Sequence, residues 1–254
     1  MDNNNNYQWS QQSVFVEKQG GTVAKKFFAN VFLWMFVALS ISTFAAYFIA
    51  NTPGILQYLL SYNETTGKGG FTILGYIAIF SPLALVFLLG AGMQRLSYST
   101  LIGVFILYSI LTGVSLSFIL LIYSLPSVVG CFAAATGIFA VMAFMGYTTN
   151  TDLSKFGPIL IAGVIGLVIA SVVNMFLGSS TLSYIMGFVG VAIFTALTAY
   201  KVQELKRIGE GLDENGDEVA INDSKKMAII GALSLYITFI NLFLSLLRIF
   251  GGRK

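Results

Sequence analysis

Histidine is absent from all 254 residues. That excludes imidazole metal sites, Ser/His and Cys/His nucleophile pairs, and the side chain that most readily changes charge near neutral pH. The single cysteine, Cys131, cannot close an intrachain disulfide. It falls in an apolar run beside Gly130, Ala133 and Ala134, where a thiol reads as a small inert hydrophobe. Charge is scarce too. Asp, Glu, Lys and Arg make up 10% of the chain, against about 25% in a soluble domain. The net charge of +3 is too small to imply a polyanionic partner, so no nucleic-acid binding is expected. With 56% apolar residues and a mean hydropathy of +0.82, neither a water-soluble globule nor a disordered chain fits.

What the chain does have is long neutral stretches. Seven runs contain no Asp, Glu, Lys or Arg: 27–50, 71–93, 98–123, 126–148, 157–177, 181–200 and 227–247. A bilayer core about 30 Å thick needs roughly 20 apolar residues per helix. A soluble helix would scatter charge along its wet face, and a charge at the centre of a spanning helix costs about 2.5–3.5 kcal/mol. Runs of this length without period-2 alternation also exclude a membrane barrel. The expected fold class is therefore an all-α integral membrane protein, a bundle of seven transmembrane helices. Its partner is the lipid bilayer. Residues 1–26 read as a polar, disordered cytoplasmic tail, and 27–250 as one membrane domain. Loops such as 94–97, 124–125 and 178–180 are too short for anything but antiparallel neighbours.

Loop charge sets the orientation. With the N-terminus inside, ten Lys/Arg lie on the inner side and four on the outer, three of the four being Arg248, Arg253 and Lys254. A re-entrant final segment would remove that dissent. A full span fits the neutral run between Lys226 and Arg248.

Function must then use uncharged polar groups. Ser234, Thr238, Asn241 and Ser245 are spaced 4, 3 and 4 apart, which puts them on one face of the last helix. They are either packing contacts between close helices or the lining of a hydrated path. Asn174 ends a small-residue face, Gly163-Gly166-Ala170, on the fifth span. Lys201 is the charge nearest a run. It either snorkels and pairs with Glu204 one turn on, or sits as a buried cation in a path. The acidic stretch Asp213-Glu214-Asn215-Gly216-Asp217-Glu218 does not fit an EF-hand, which needs Gly at position 6 and Glu at 12, so it reads as a turn on Asn215-Gly216. No span holds an aspartate pair, a His-Glu-x-x-His motif or, in the last run, a lysine for retinal. No enzymatic activity, metal or cofactor is expected.

Several blocks then resemble one family. Arg95-Leu96-Ser97 before the third span, Gly146-Tyr147-Thr148 with Asp152-Leu153-Ser154, Thr198-Ala199-Tyr200, and Leu235-Tyr236 through Phe239-Ile240-Asn241-Leu242-Phe243 to Leu246-Leu247-Arg248 are similar, in this order, to the Bax inhibitor family, bacterial branch. The resemblance spans about residues 22–252. It implies seven helices with the last one central, in a bacterial inner membrane. It also implies a pH-sensitive calcium leak, and a role in suppressing cell death among eukaryotic relatives. The implied sensor is a pair of aspartates, which can share a proton near neutral pH. At those two positions this sequence carries Lys201 and Thr238. A fixed cation near a permeation path repels Ca²⁺, so calcium conduction is not expected to carry over intact. Arg95 matches a basic family position near the inner gate, with Asp152 its candidate partner. The alternative function is a non-conducting regulator that binds another membrane protein, such as a membrane-anchored ATP-dependent protease.

Overall fold

The computed structural model of the chain describes residues 5–63, 68–92, 96–214 and 218–254. Among these, eight helices follow one another: α1 (Asn5–Ala50), α2 (Pro53–Leu59), α3 (Ile73–Gly92), α4 (Tyr98–Ile122), α5 (Leu125–Thr148), α6 (Gly157–Leu177), α7 (Ser180–Glu214) and α8 (Glu218–Phe250). Strands β1 (Leu60–Asn63) and β2 (Lys68–Phe71) form an antiparallel hairpin, with Leu60 opposite Phe71. A 3₁₀ turn (Leu153–Phe156) precedes α6. The molecule is an all-α membrane bundle. Six helices are long and apolar enough to cross a bilayer: Val23–Ala50, Tyr98–Ile122, Leu125–Thr148, Leu153–Leu177, Ser180–Leu212 and Ser224–Phe250. The expected span 71–93 corresponds to α3, whose shorter apolar portion, Ile73–Val86, stands apart from these six.

The helices outrun the neutral segments in several places, for one reason. Charge marks where a helix leaves hydrocarbon, but it does not end the helix. α7 continues 14 residues past Tyr200, and α8 begins nine before Met227. α1 begins at Asn5, ahead of the first neutral run; once a helix is nucleated, each further residue gains a hydrogen bond. The connection between α1 and α3 holds α2 and the hairpin. Pro53 occupies the first helical position of α2, where its missing N–H costs nothing.

The last helix is the core. Two-thirds (67%) of an 18-residue apolar stretch within it is buried, while α6 buries only Gly157. Buried residues of α8 occur on every side, among them Ile229, Ala232, Leu235, Tyr236, Phe239, Leu242 and Leu246. A helix apolar all round is stable only inside a bundle. α8 packs on α1, α4, α5 and α7; α6 packs mainly on α7, and α3 mainly on α4. Four helices thus pack on the central α8, while α3 and α6 lean mainly on its neighbours. Edge-to-face rings fix this centre: Tyr236 against Phe105 and Tyr108, and Phe239 against Phe132 and Phe139. Close approach needs glycine at two crossings. A Cβ on Gly113 would stand 2.7 Å from Ala45 of α1, and one on Gly146 would collide with the backbone of Ala199. α8 is unbroken to Phe250, which overturns the re-entrant alternative. The four residues beyond it pair with the α4–α5 turn through Ser124 N–H to Gly252 O (2.9 Å) and Lys254 N–H to Ile122 O (3.0 Å).

Candidate functional site

Lys201 and Thr238 lie at similar depths on neighbouring antiparallel helices. Counted along each helix from the α7–α8 end of its span, Lys201 is about 16 Å in and Thr238 about 21 Å in. α7 runs on past Lys201 as a helix, so these distances are positions along the helices. The two side chains do not meet. The Lys201 ammonium donates to Glu204 Oε2 at 2.7 Å, and lies 5.2 Å from the centre of the Tyr200 ring. The pair is half-buried, with side-chain exposures of 26% and 43%. The buried Thr238 hydroxyl donates to Ser234 O, one turn back on its own helix.

The rest of the α8 polar face behaves the same way. Asn241 Nδ2 donates to Ile237 O (2.8 Å), and Ser245 Oγ to Asn241 O (2.7 Å). The amide of Asn241, which needs a partner in hydrocarbon, finds one in the carbonyl four residues back on its own helix. Ser245 lies where α7 comes closest, beside Gly187 and Gly190. Asn174 is a turn fastener. Its Nδ2 donates to Ser183 Oγ (2.7 Å) and its Oδ1 accepts from Ser179 N–H (3.0 Å), closing the α6–α7 connection. Gly178 makes that turn possible by taking the left-handed conformation, φ +60°.

A second polar cluster crosses the bundle centre. Ser42 of α1 hydrogen-bonds to Ala38 O and Ser109 O, and to the Tyr236 hydroxyl at 2.5 Å. All three side chains are fully buried. Neither Ser42 nor Ser109 was singled out from the sequence, because each is one polar residue inside an apolar run and its partner lies on another helix.

The densest polar site lies at the Lys25 end of the bundle, where α7 clasps the α5–α6 loop. Gln203 is buried. Its Nε2 donates to Thr151 O (2.7 Å), and its Oε1 accepts from Leu153 N–H (2.8 Å). Between those two backbone contacts, Asp152 forms an ion pair with Arg207, which stands one turn beyond Gln203. Asp152 also caps the 3₁₀ turn by accepting from Ser154 N–H (2.9 Å). The Arg207 guanidinium, seconded by Ser154, holds the Asp152 carboxyl well below the usual carboxylate range. Arg95, the candidate partner of Asp152, lies outside the described residues; among the described ones Arg207 pairs with Asp152. The i, i+4 spacing of Gln203 and Arg207 was legible as one helix face, but its target 50 residues upstream was not. The Asn215-Gly216 turn also lies outside the described residues.

The family profile described as inhibitor of apoptosis-promoting Bax1 matches residues 24–254. The chain belongs to the Bax inhibitor family. Inner membrane protein YbhL of Escherichia coli K12 is 40% identical over 228 residues, which cover 90% of this chain and 92% of YbhL. An uncharacterized protein of Borreliella burgdorferi is 40% identical over 238 residues, covering 94% and 97%. An uncharacterized membrane protein of Streptococcus pyogenes serotype M6 is 33% identical over 226 residues, covering 89% and 92%. Within this Bax inhibitor bundle, α8 is the buried helix and the α7 clasp is its main polar tie at one end. Arg207 and Gln203 belong to the same seven-residue stretch as Lys201, so one face of α7 holds the loop while its neighbour holds the ion pair with Glu204.

Proposed function

We propose that this protein is a seven-span bundle of the leak-channel type, held shut and silent toward calcium at neutral pH. α3 is the seventh crossing, since its 20 residues reach about 30 Å. The N-terminus faces the cytoplasm and the membrane is the bacterial inner membrane. The balance of Lys and Arg between the two sides supports the first, and the printed name of the E. coli relative supports the second.

The observation that carries this reading is the pairing of Lys201 with Glu204 at 2.7 Å. A pair of close carboxylates shares a proton and changes charge near neutral pH. This chain has no such pair at the two positions: Lys201 stands at one and is engaged by Glu204. Thr238 offers a cation only a hydroxyl that is already committed to its own backbone. The clasp adds a second restraint. To separate α7 from the α5–α6 loop, the Gln203 contacts and the Asp152–Arg207 pair must all break. Asp152, held below the usual carboxylate range, stays ionised from pH 6 to 8 and keeps its partner. Calcium flux into liposomes across that pH range tests the reading. The wild type passes no more calcium than protein-free vesicles, and Lys201→Asp with Thr238→Asp gains a leak that varies with pH. A pH-dependent calcium leak in the wild type overturns the reading.

A second reading, a regulator that binds another membrane protein such as a membrane-anchored ATP-dependent protease, is favoured by α6. That helix buries only Gly157 and leaves an apolar face, Ile161, Ile165, Ile169 and Val172, open along its length. Crosslinking in native membranes that captures no partner counts against it.

A further inference from the structure

α1 and α5 stand apart along most of their length and leave a groove of about 870 Å³ whose floor is Phe239 of α8 and Phe139 of α5. Its walls carry Phe36 and Phe44 of α1, and Phe132 and Ala140 of α5. From Phe32 to Tyr47 it runs about 22 Å, three-quarters of a bilayer core about 30 Å thick. Two of the hydroxyls in its walls turn onto their own helices, Ser40 Oγ to Phe36 O and Thr136 Oγ1 to Phe132 O, both at 2.9 Å. Thr43 and Tyr47 add hydroxyls to a lining that is otherwise mostly hydrocarbon and aromatic carbon.

The two ends of the groove differ. At the Lys25 end the helices close on each other edge to face, Phe28 against Tyr147 with centroids 5.2 Å apart. Lys206 of α7 holds its ammonium over the Tyr147 ring at 5.4 Å. Lys25 lies seven residues before Phe32, hence on the groove face of α1 about 10 Å below it, and is exposed. One rim of an apolar furrow thus carries two cations, from α1 and α7, and a phenol, with the exposed Glu210 carboxylate 3.9 Å from the Lys206 ammonium as the one acid paired with them among the described residues. The rings that close the furrow there end the apolar part where the charge begins.

We propose that this groove is a binding site for an anionic phospholipid from the leaflet at the Lys25 end. An acyl chain lies along Phe36, Phe132, Phe139 and Phe239, and the headgroup phosphate sits between Lys25 and Lys206 at the Tyr147 rim. Hydrocarbon is the solvent of this face, so the chain gains contact with rings rather than escape from water. Specificity comes from the rim, where each Lys near an anionic headgroup adds about 1 kcal/mol; together the two favour an anionic lipid over a zwitterionic one by more than tenfold.

Native mass spectrometry of the full chain, released from nanodiscs of equal phosphatidylglycerol and phosphatidylcholine, tests the proposal. The wild type retains phosphatidylglycerol at least tenfold over phosphatidylcholine. Ala140→Trp, which fills the groove, loses the retained lipid at an unchanged melting temperature. Lys25→Gln with Lys206→Gln keeps a lipid but loses the headgroup preference. If Ala140→Trp fails to fold, Thr136→Trp, one turn away, fills the same space and carries the same expectation. No retained lipid in the wild type, equal retention of the two lipids, or undiminished retention in the filled variant overturns the proposal. So does efficient crosslinking from Ala140→Cys, in a Cys131→Ala background, to a second copy or to another membrane protein, because the groove is then a seat for a helix.

Discussion

Gln203 ties two backbone groups on either side of Asp152 with one buried amide, and this makes it the most consequential polar side chain outside the spans' interior. Gln203→Leu leaves Thr151 O and Leu153 N–H without their partner. Unpaired polar groups of that kind cost about 1–3 kcal/mol each when they stay buried. Hydrogen–deuterium exchange over 149–156 is expected to rise at least tenfold in this variant, and unchanged exchange would show that the loop holds itself. The Asp152 pair makes a separate prediction about pH. Its folded pKa is lowered, so its stabilisation is present above the ordinary carboxylate pKa of about 3.9 and is lost as pH falls through the folded value. After correction for intrinsic exchange, protection of the loop is therefore flat from pH 6 to 8 and falls only in strong acid. In the bundle centre, Tyr236→Phe removes the hydroxyl that meets Ser42, while Ser42 keeps Ala38 O and Ser109 O. The loss should be about 1 kcal/mol, read as a lower melting temperature in detergent with no change of oligomeric state.

At the scale of elements, the spans were legible because charge is expensive in hydrocarbon, and the neutral runs 98–123, 126–148 and 157–177 agree with α4, α5 and α6 within a residue or two. Helix ends were less legible where the chain leaves the membrane as a helix. The stretch after Lys201 keeps helical geometry through interfacial pairs such as Lys206 with Glu210. The central position of α8 was implied by family resemblance. Its physical mark is burial on all sides, whereas its polar spacing alone could not separate packing from a water path. Long-range polar contacts were not legible at all. Arg207 finds Asp152, and Ser42 finds Tyr236, through folding that one sequence does not encode as a local pattern. The α1–α4 crossing supplies a prediction of its own. Gly113→Val pushes a side chain into Ala45 and the Ser42 backbone and should cost about 1–3 kcal/mol. Gly103→Val, on the same helix with open space around it, is the control and should stay within about 0.5 kcal/mol.

For the whole molecule, the buried helix α8 turns the Thr238 and Ser245 hydroxyls onto its own carbonyls. Four helices enclose it, a clasp closes one end, and the last four residues pair with the α4–α5 turn at the other. A bundle that does not leak calcium at neutral pH, as proposed, requires that no water path run along α8. Water at the α8 polar face is therefore the quantity that matters most. It is measured by placing single cysteines at Ser234, Thr238 and Asn241 in a Cys131→Ala background and treating intact vesicles with a small water-soluble thiol reagent from pH 6 to 8. The account predicts that all three cysteines stay unlabelled throughout, while Thr238→Cys becomes reactive once Gln203→Leu opens the clasp. Rapid labelling of the three positions with the clasp intact would contradict it.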